Sequence, residues 1–187
     1  MIDKIKKDLE TMLSPKRYAH TIGVMETALK LADCYGENRE KVMIASLCHD
    51  IAKELTLDEM NRLTRHLKLD KVVRNSKSLL HGPAGAVLAK KLYKVEKRIY
   101  NAIFYHTTGR LKMSLLEKII FVADMAEPSR NFKDIEKLRS IMCENIDDAV
   151  VISASLTISF LIENNKPIYP LTLDARNYIL YSKNSGN

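Results

Sequence analysis

Six residues carry side chains from which hydrolytic chemistry could be built: His20, His49, Asp50, His81, His106 and Asp124. His20 precedes Val24, Ala28 and Leu31 by four, eight and eleven residues, so a helix through this segment puts the imidazole on its apolar face. His106 repeats the pattern, in line with Val95, Ile99 and Ala102 or Ile103. The doublet His49-Asp50 follows Val42 to Cys48, a run apolar around nearly its whole circumference, and Asp124 closes the string IIFVAD. A buried imidazole needs partners for its ring nitrogens, and a buried carboxylate without compensation is very costly. For one such histidine a core hydrogen bond is the ordinary answer; for this many ionisable groups, a bound cation resolves them together. His81 differs, since it precedes Gly82-Pro83 at an expected entry from loop to helix, and by itself it carries little.

Imidazole and carboxylate donors without thiolates suit Fe, Mn, Zn, Co or Ni. Six exceed what one metal takes from protein while keeping positions open for water and substrate. Two divalent transition-metal ions bridged by a carboxylate would use them all. Ions about 3.5 to 4 Å apart lower the pKa of a bridging water and clamp the attacking and leaving oxygens of phosphoryl transfer. The expected chemistry is hydrolysis of a phosphate bond.

The elements that must position these residues read as helices, and the fold class as all-α in a single domain over residues 1–187. Ile2, Ile5, Leu9 and Leu13 recur at helical spacing. Ser14-Pro15 opens a helix expected to run to about Tyr35 and stop at Gly36, with the next from about Asn38 to Glu54. Thr56 to Glu59 and Ser114 to Glu117 are capping boxes that restart helices. Further helices are expected from Pro83 to about Tyr93 and from Val95 to about His106, and Pro128 limits the one carrying Asp124. The segment from Ala149 to Ile162 is rich in β-branched residues. It is read as helix because it is longer than a typical strand and no partner strand is evident. A short docking helix around Leu171 to Leu180 and a frayed SKNSGN tail complete the chain.

With 46% hydrophobic and 28% charged residues and few Gly or Pro, the chain should fold, which excludes disordered and collagen-like classes. Cys34, Cys48 and Cys143 are odd in number, widely separated and without CxxC spacing, so they read as reduced core thiols. No signal peptide or membrane span is evident, and the cytoplasm is the expected compartment. The net charge of +7 favours a polyanionic ligand. The basic residues are scattered without aromatic interleaving, so nucleic acid and membranes are not expected partners.

The order His20, His49-Asp50, Asp124 resembles the H…HD…D signature of the HD superfamily of metal-dependent phosphohydrolases, with the HD-type helical bundle as the implied fold. Adding His81 and His106 between the doublet and the last Asp resembles the dinuclear subset. SPKRYAHTIGV, SLCHDIAK, LLHGPAGA, YHTTGR and FVADMAEPSR are similar to the bacterial YqeK-type symmetrical diadenosine tetraphosphate hydrolases, over about Ser14 to Phe132. The resemblance implies one metal held by His20, His49, Asp50 and Asp124, with Asp50 bridging to a second held by His81 and His106. Iron is the metal it suggests. The implied substrate is a dinucleoside tetraphosphate, cut in the middle by a metal-bound hydroxide into two nucleoside diphosphates.

Basic residues near these motifs are candidate substrate contacts. Lys53 lies four residues after His49, hence on the same helical face, and is assigned a catalytic as well as a phosphate-binding role alongside Asp50. Arg110 follows His106 through Thr107, itself a candidate contact. Arg130 lies just beyond Asp124, and Arg17 lies one turn before His20. Alternatives are another HD-type nucleotide phosphohydrolase, a non-catalytic nucleotide sensor, or a helical scaffold with buried histidines. A cyclic-dinucleotide phosphodiesterase lacks support, because HHE and GYP elements are missing. A homodimer is left open.

Overall fold

A computed structural model describes residues 1–184 as helices joined by short turns, with no strand among them. Helix α1 (Ile2–Met12) leads into α2 (Pro15–Tyr35). Ser14 Oγ accepts from the Arg17 N–H, and Pro15 sits in the first turn, where a missing amide costs nothing. Gly36 ends α2 in the left-handed region at φ 69°, its N–H bonding the Ala32 carbonyl. Both ends fall where the sequence places them.

Helix α3 (Arg39–Cys48) is shorter than expected. From Cys48 to Leu55 the backbone changes to i→i+3 bonds: Ile51 to Cys48 at 3.2 Å, Lys53 to Asp50 at 2.9 Å and Leu55 to Ala52 at 3.1 Å. The tighter winding puts His49 and Asp50 in a turn beyond the helix end. Helices α4 (Leu57–Thr64) and α8 (Leu115–Ala126) start at the two expected capping boxes. One-turn α5 (Lys71–Arg74) precedes α6 (Lys77–Tyr93).

Helix α6 corrects the placement of His81, which lies inside the helix and not at its entry. Pro83 withholds only the donor for the Leu79 carbonyl, within two turns of the helix start, and the helix runs on through it. Gly82 is required because α6 meets α7 (Lys97–Tyr105) at this point: a Cβ there would stand 2.8 Å from the Phe104 carbonyl oxygen. Helices α9 (Ile135–Ile141), α10 (Ile146–Glu163) and α11 (Pro170–Asn184) follow. The β-branched segment is helical, as read. Ser155 and Thr157 donate to carbonyls four residues back, and α10 packs on α8 and α11. Ser182, Lys183 and Asn184 continue α11 where fraying was expected; the remainder of that tail lies outside the described residues.

The main core is built from Ile5 and Leu9 of α1, Val24, Ala28 and Leu31 of α2, Val42 and Leu47 of α3, Ile99 and Ile103 of α7, and Leu116, Ile119 and Ile120 of α8. A smaller cluster of Ala52, Met60, Val73, Leu80 and Ala84 lies under α4 to α6. Burying each such side chain contributes roughly 1.5–3 kcal/mol, which locks α2, α3, α7 and α8 side by side.

The expected trio of reduced core thiols is not found. Cys48 alone is buried and free, its thiol pushed up to about 12 by burial. Cys34, exposed near the end of α2, and Cys143, half-buried after α9, form a disulfide with Cα atoms 5.6 Å apart. The partners are 109 residues apart, so spacing alone could not pair them. Among the described residues no helix is long and apolar enough to cross a membrane.

Candidate metal centre

The six residues singled out by type and setting converge. His20 comes from α2, His49 and Asp50 from the turn after α3, His81 from α6, His106 from the end of α7 and Asp124 from α8. Asp50 is the hub, and its two oxygens face different pairs. Oδ2 lies 3.9 Å from His20 Nε2 and 3.6 Å from His49 Nε2. Oδ1 lies 3.0 Å from His81 Nε2 and 3.6 Å from His106 Nε2. Asp124 Oδ1 joins the first pair, 3.1 Å from His20 Nε2 and 4.0 Å from His49 Nε2. Two triads, His20–His49–Asp50 and Asp50–His81–His106, each bring their ligand atoms within 4.8 Å of one another and share the one carboxylate.

The outer ring nitrogens fix which inner atoms carry lone pairs. His49 Nδ1 is 2.6 Å from the Ser46 carbonyl and His106 Nδ1 is 2.8 Å from the Ile103 carbonyl. A carbonyl only accepts, so Nδ1 holds the proton and Nε2 turns a lone pair inward. His20 Nδ1 is 3.0 Å from Glu127 Oε1, but its Nε2 faces a second carboxylate, Asp124 Oδ1 at 3.1 Å, so only a cation displacing the proton from Nε2 gives this ring the same inward lone pair. The centre therefore gathers acceptors facing acceptors. Buried His20 Nε2, His49 Nε2 and Asp50 Oδ1 have no hydrogen-bond partner, and such atoms are costly unless something positive sits among them. The donor set fits a divalent transition metal.

The protonation states agree at His49 and His81, whereas His20 without an ion goes the other way. Burial opposes charge on His20, but the Asp124 and Glu127 carboxylates outweigh it and raise its pKa. At His49 and His81 burial wins and lowers the pKa to about 4, leaving both rings neutral near pH 7 as ligands must be. Burial alone would raise the Asp50 carboxyl. His49, His106, His81 and Lys53 hold it well below the usual carboxylate range instead. Asp124 is likewise lowered against burial by His20, His49 and Arg130.

Most of the expected basic contacts reach this centre. Arg17 Nη1 is 2.9 Å from Asp50 Oδ2, and Arg130 Nη2 is 3.0 Å from Asp124 Oδ1. On the other flank Lys53 Nζ is 3.0 Å from His81 Nε2, while Thr107 Oγ1 is 3.3 Å from His81 Nε2 and 3.2 Å from His106 Nε2. Lys53 arrives through the i→i+3 turn, not through a shared helical face with His49. Arg110 is not brought in: its guanidinium bonds both oxygens of Glu117, at 2.6 and 3.1 Å, and lies over the Tyr105 ring. Glu127 was missed by sequence reasoning, although it follows Asp124 by three residues and so shares its face at the helix end.

A family model described as HD domain matches residues 17–128. The chain belongs to the HD domain family. This HD chain is 44% identical over 170 residues to the symmetrical bis(5'-nucleosyl)-tetraphosphatase of Halalkalibacterium halodurans, covering 90% of this chain and 91% of the relative. It is 36% identical over 174 residues to the protein of the same name from Bacillus subtilis, covering 92% and 94%. Among solved structures, a predicted HD superfamily hydrolase involved in NAD metabolism from Clostridium acetobutylicum matches with a TM-score of 0.93 and 41% identity, covering 97% of this chain and 98% of that one.

Proposed function

We propose that the chain is a dinuclear metal-dependent hydrolase that cuts diadenosine tetraphosphate, or a related dinucleoside polyphosphate, symmetrically into two ADP. The observation that carries this reading is Asp50, whose two oxygens face separate histidine pairs, in a chain covering 91% of a relative named for that symmetrical cleavage. Two bound divalent ions would acidify a water and polarise the phosphate under attack. The protein's own part is charge and orientation. Arg17 and Arg130 on one flank, and Lys53 with the Thr107 hydroxyl on the other, would hold phosphate oxygens on both sides of the scissile bond. Lys53 neutralises the leaving phosphate, and Asp50 keeps the two halves of the centre in register. Iron is the proposed metal; Mn, Co, Ni and Zn suit the same donors. A nucleotide substrate makes the cytoplasm the working compartment under this reading.

Metal-replete protein incubated with diadenosine tetraphosphate should release ADP alone. ATP plus AMP would refute the symmetrical cut, and tight binding without turnover would favour a nucleotide sensor. The neighbour linked by name to NAD metabolism makes NAD the comparison substrate. AMP released faster from NAD than ADP from the tetraphosphate would redirect the assignment.

A further inference from the structure

The four imidazoles are not held alike. His49 and His106 lean on backbone carbonyls, which move only with their own helices. His81 Nδ1 is buried without a hydrogen-bond partner. His20 is held by a carboxylate, that of Glu127, which is itself 1% exposed. Glu127 is fixed in turn by the N–H and Oγ–H of Ser129, both donating to its oxygens. Gly23 leaves the space it fills, since a Cβ there would stand 3.0 Å from Glu127 Oε2. The turn that carries Glu127 is fastened from α9, where Arg139 donates to the carbonyls of Ala126, Glu127 and Arg130 at 3.0, 2.8 and 2.8 Å.

We infer that Glu127 is the positioning residue of the His20–His49–Asp124 half of the centre, fixing the His20 tautomer and making that half hold its divalent ion more tightly than the His81–His106 half. A carboxylate behind an imidazole both orients the ring and strengthens it as a donor. The first half has this support and the Asp124 charge, against which stand Arg130, 3.0 Å from Asp124 Oδ1, and Arg17, 2.9 Å from Asp50 Oδ2. The second half has an unpartnered His81 Nδ1 and the Lys53 ammonium 3.0 Å from its ligand nitrogen. The inference rests on the two-ion reading proposed above, and its tests separate the two.

Metal-free protein is titrated with Mn2+ alone, following heat and the metal retained after gel filtration. Wild type should show a tight and a weak class of site. Glu127→Gln keeps the shape but removes the charge, and should weaken the tight class roughly 10- to 100-fold while leaving the weak class in place. His81→Asn should lose the weak class only. Equal classes in wild type, or a Glu127→Gln titration that overlays it, overturns the inference. A wild type that takes up a single ion, still bound after His81→Asn, overturns the two-ion reading instead. In that event 15N spectra of the histidines, recorded metal-free at alkaline pH where the rings are neutral, decide the role of Glu127. In an Asp124→Ala background, which removes the carboxylate 3.1 Å from Nε2, His20 should be the Nδ1–H tautomer, and a mixture once Glu127→Ala is added, with well-dispersed amide signals showing that the variants are folded. An unchanged tautomer overturns the positioning role.

Discussion

Acidifying the metal-free protein should destabilise it through His49 and His81. Both rings sit at about 4, against an ordinary 6.5. As the pH falls through 6.5 the unfolded chain protonates both, whereas the folded chain keeps them neutral until about 4. The unfolded state therefore binds more protons throughout this window, and stability drops with pH. At about 1.4 kcal/mol per unit, complete passage costs roughly 3 kcal/mol for each ring. His20 acts with the opposite sign. Its raised pKa gives stability that is fully present below 6.5 and lost as pH rises through its folded value, so its gain is complete before the His49 and His81 loss sets in and does not change the slope below 6.5. Asp50 and Asp124 add their own loss only below 3.8, where unfolded carboxylates protonate. The net loss is a large share of the roughly 5–15 kcal/mol that holds a domain folded. Urea unfolding followed by circular dichroism between neutral pH and pH about 4 measures it directly. His81→Asn should roughly halve the slope. A midpoint that holds constant or rises across the window would refute the reasoning.

Asp50→Ala should deplete both ions, whereas His106→Ala should weaken mainly one, as read by elemental analysis; equal full occupancy in both variants would sink the shared role of Asp50. Gly82→Ala forces a methyl against the Phe104 carbonyl and should cost about 1–3 kcal/mol, seen as a lowered urea midpoint. Oxidised protein should melt above the Cys34→Ser variant, by the equivalent of about 2–4 kcal/mol for a bridge closing so long a loop. Identical melting with and without reductant would contradict that. Arg110→Ala should lower stability, by leaving the buried Glu117 carboxylate with the Ser114 N–H but no cation, more than it raises KM; the reverse would return Arg110 to the phosphate site.

Five of the six candidate ligands were legible because ionisable groups at helical spacing with Val24, Leu31, Ile99 and Ile120 have no inexpensive place in an apolar core, whereas His81 was reached only through the family resemblance. Helix ends were legible wherever a local device set them, as at Ser14-Pro15, Gly36 and the two capping boxes. What escaped depended on distant partners. Arg110 stands near His106 in sequence, but Glu117, seven residues on, captures it. Cys34 and Cys143 are joined only by the way the end of α2 meets the turn after α9. His81 was misplaced because a proline that usually opens a helix is here carried inside one, beside a glycine required by the close crossing of α7. Glu127 looked like an ordinary helix end, and its use becomes visible only when His20 arrives from 107 residues away.

The centre is also a late event in the life of the chain. Its candidate ligands come from five separate stretches, and His49-Asp50 is the only adjacent pair among them, so no short fragment could hold an ion in the same way. During synthesis, which generally builds the N-terminal part first, a nascent chain cannot complete the cage until α8 has emerged and docked against α2. Under the proposed two-ion reading, metal uptake would report on folding as much as on supply: a chain interrupted before Asp124 would lack one of the expected ligands, and only one that has closed its main core could hold both ions.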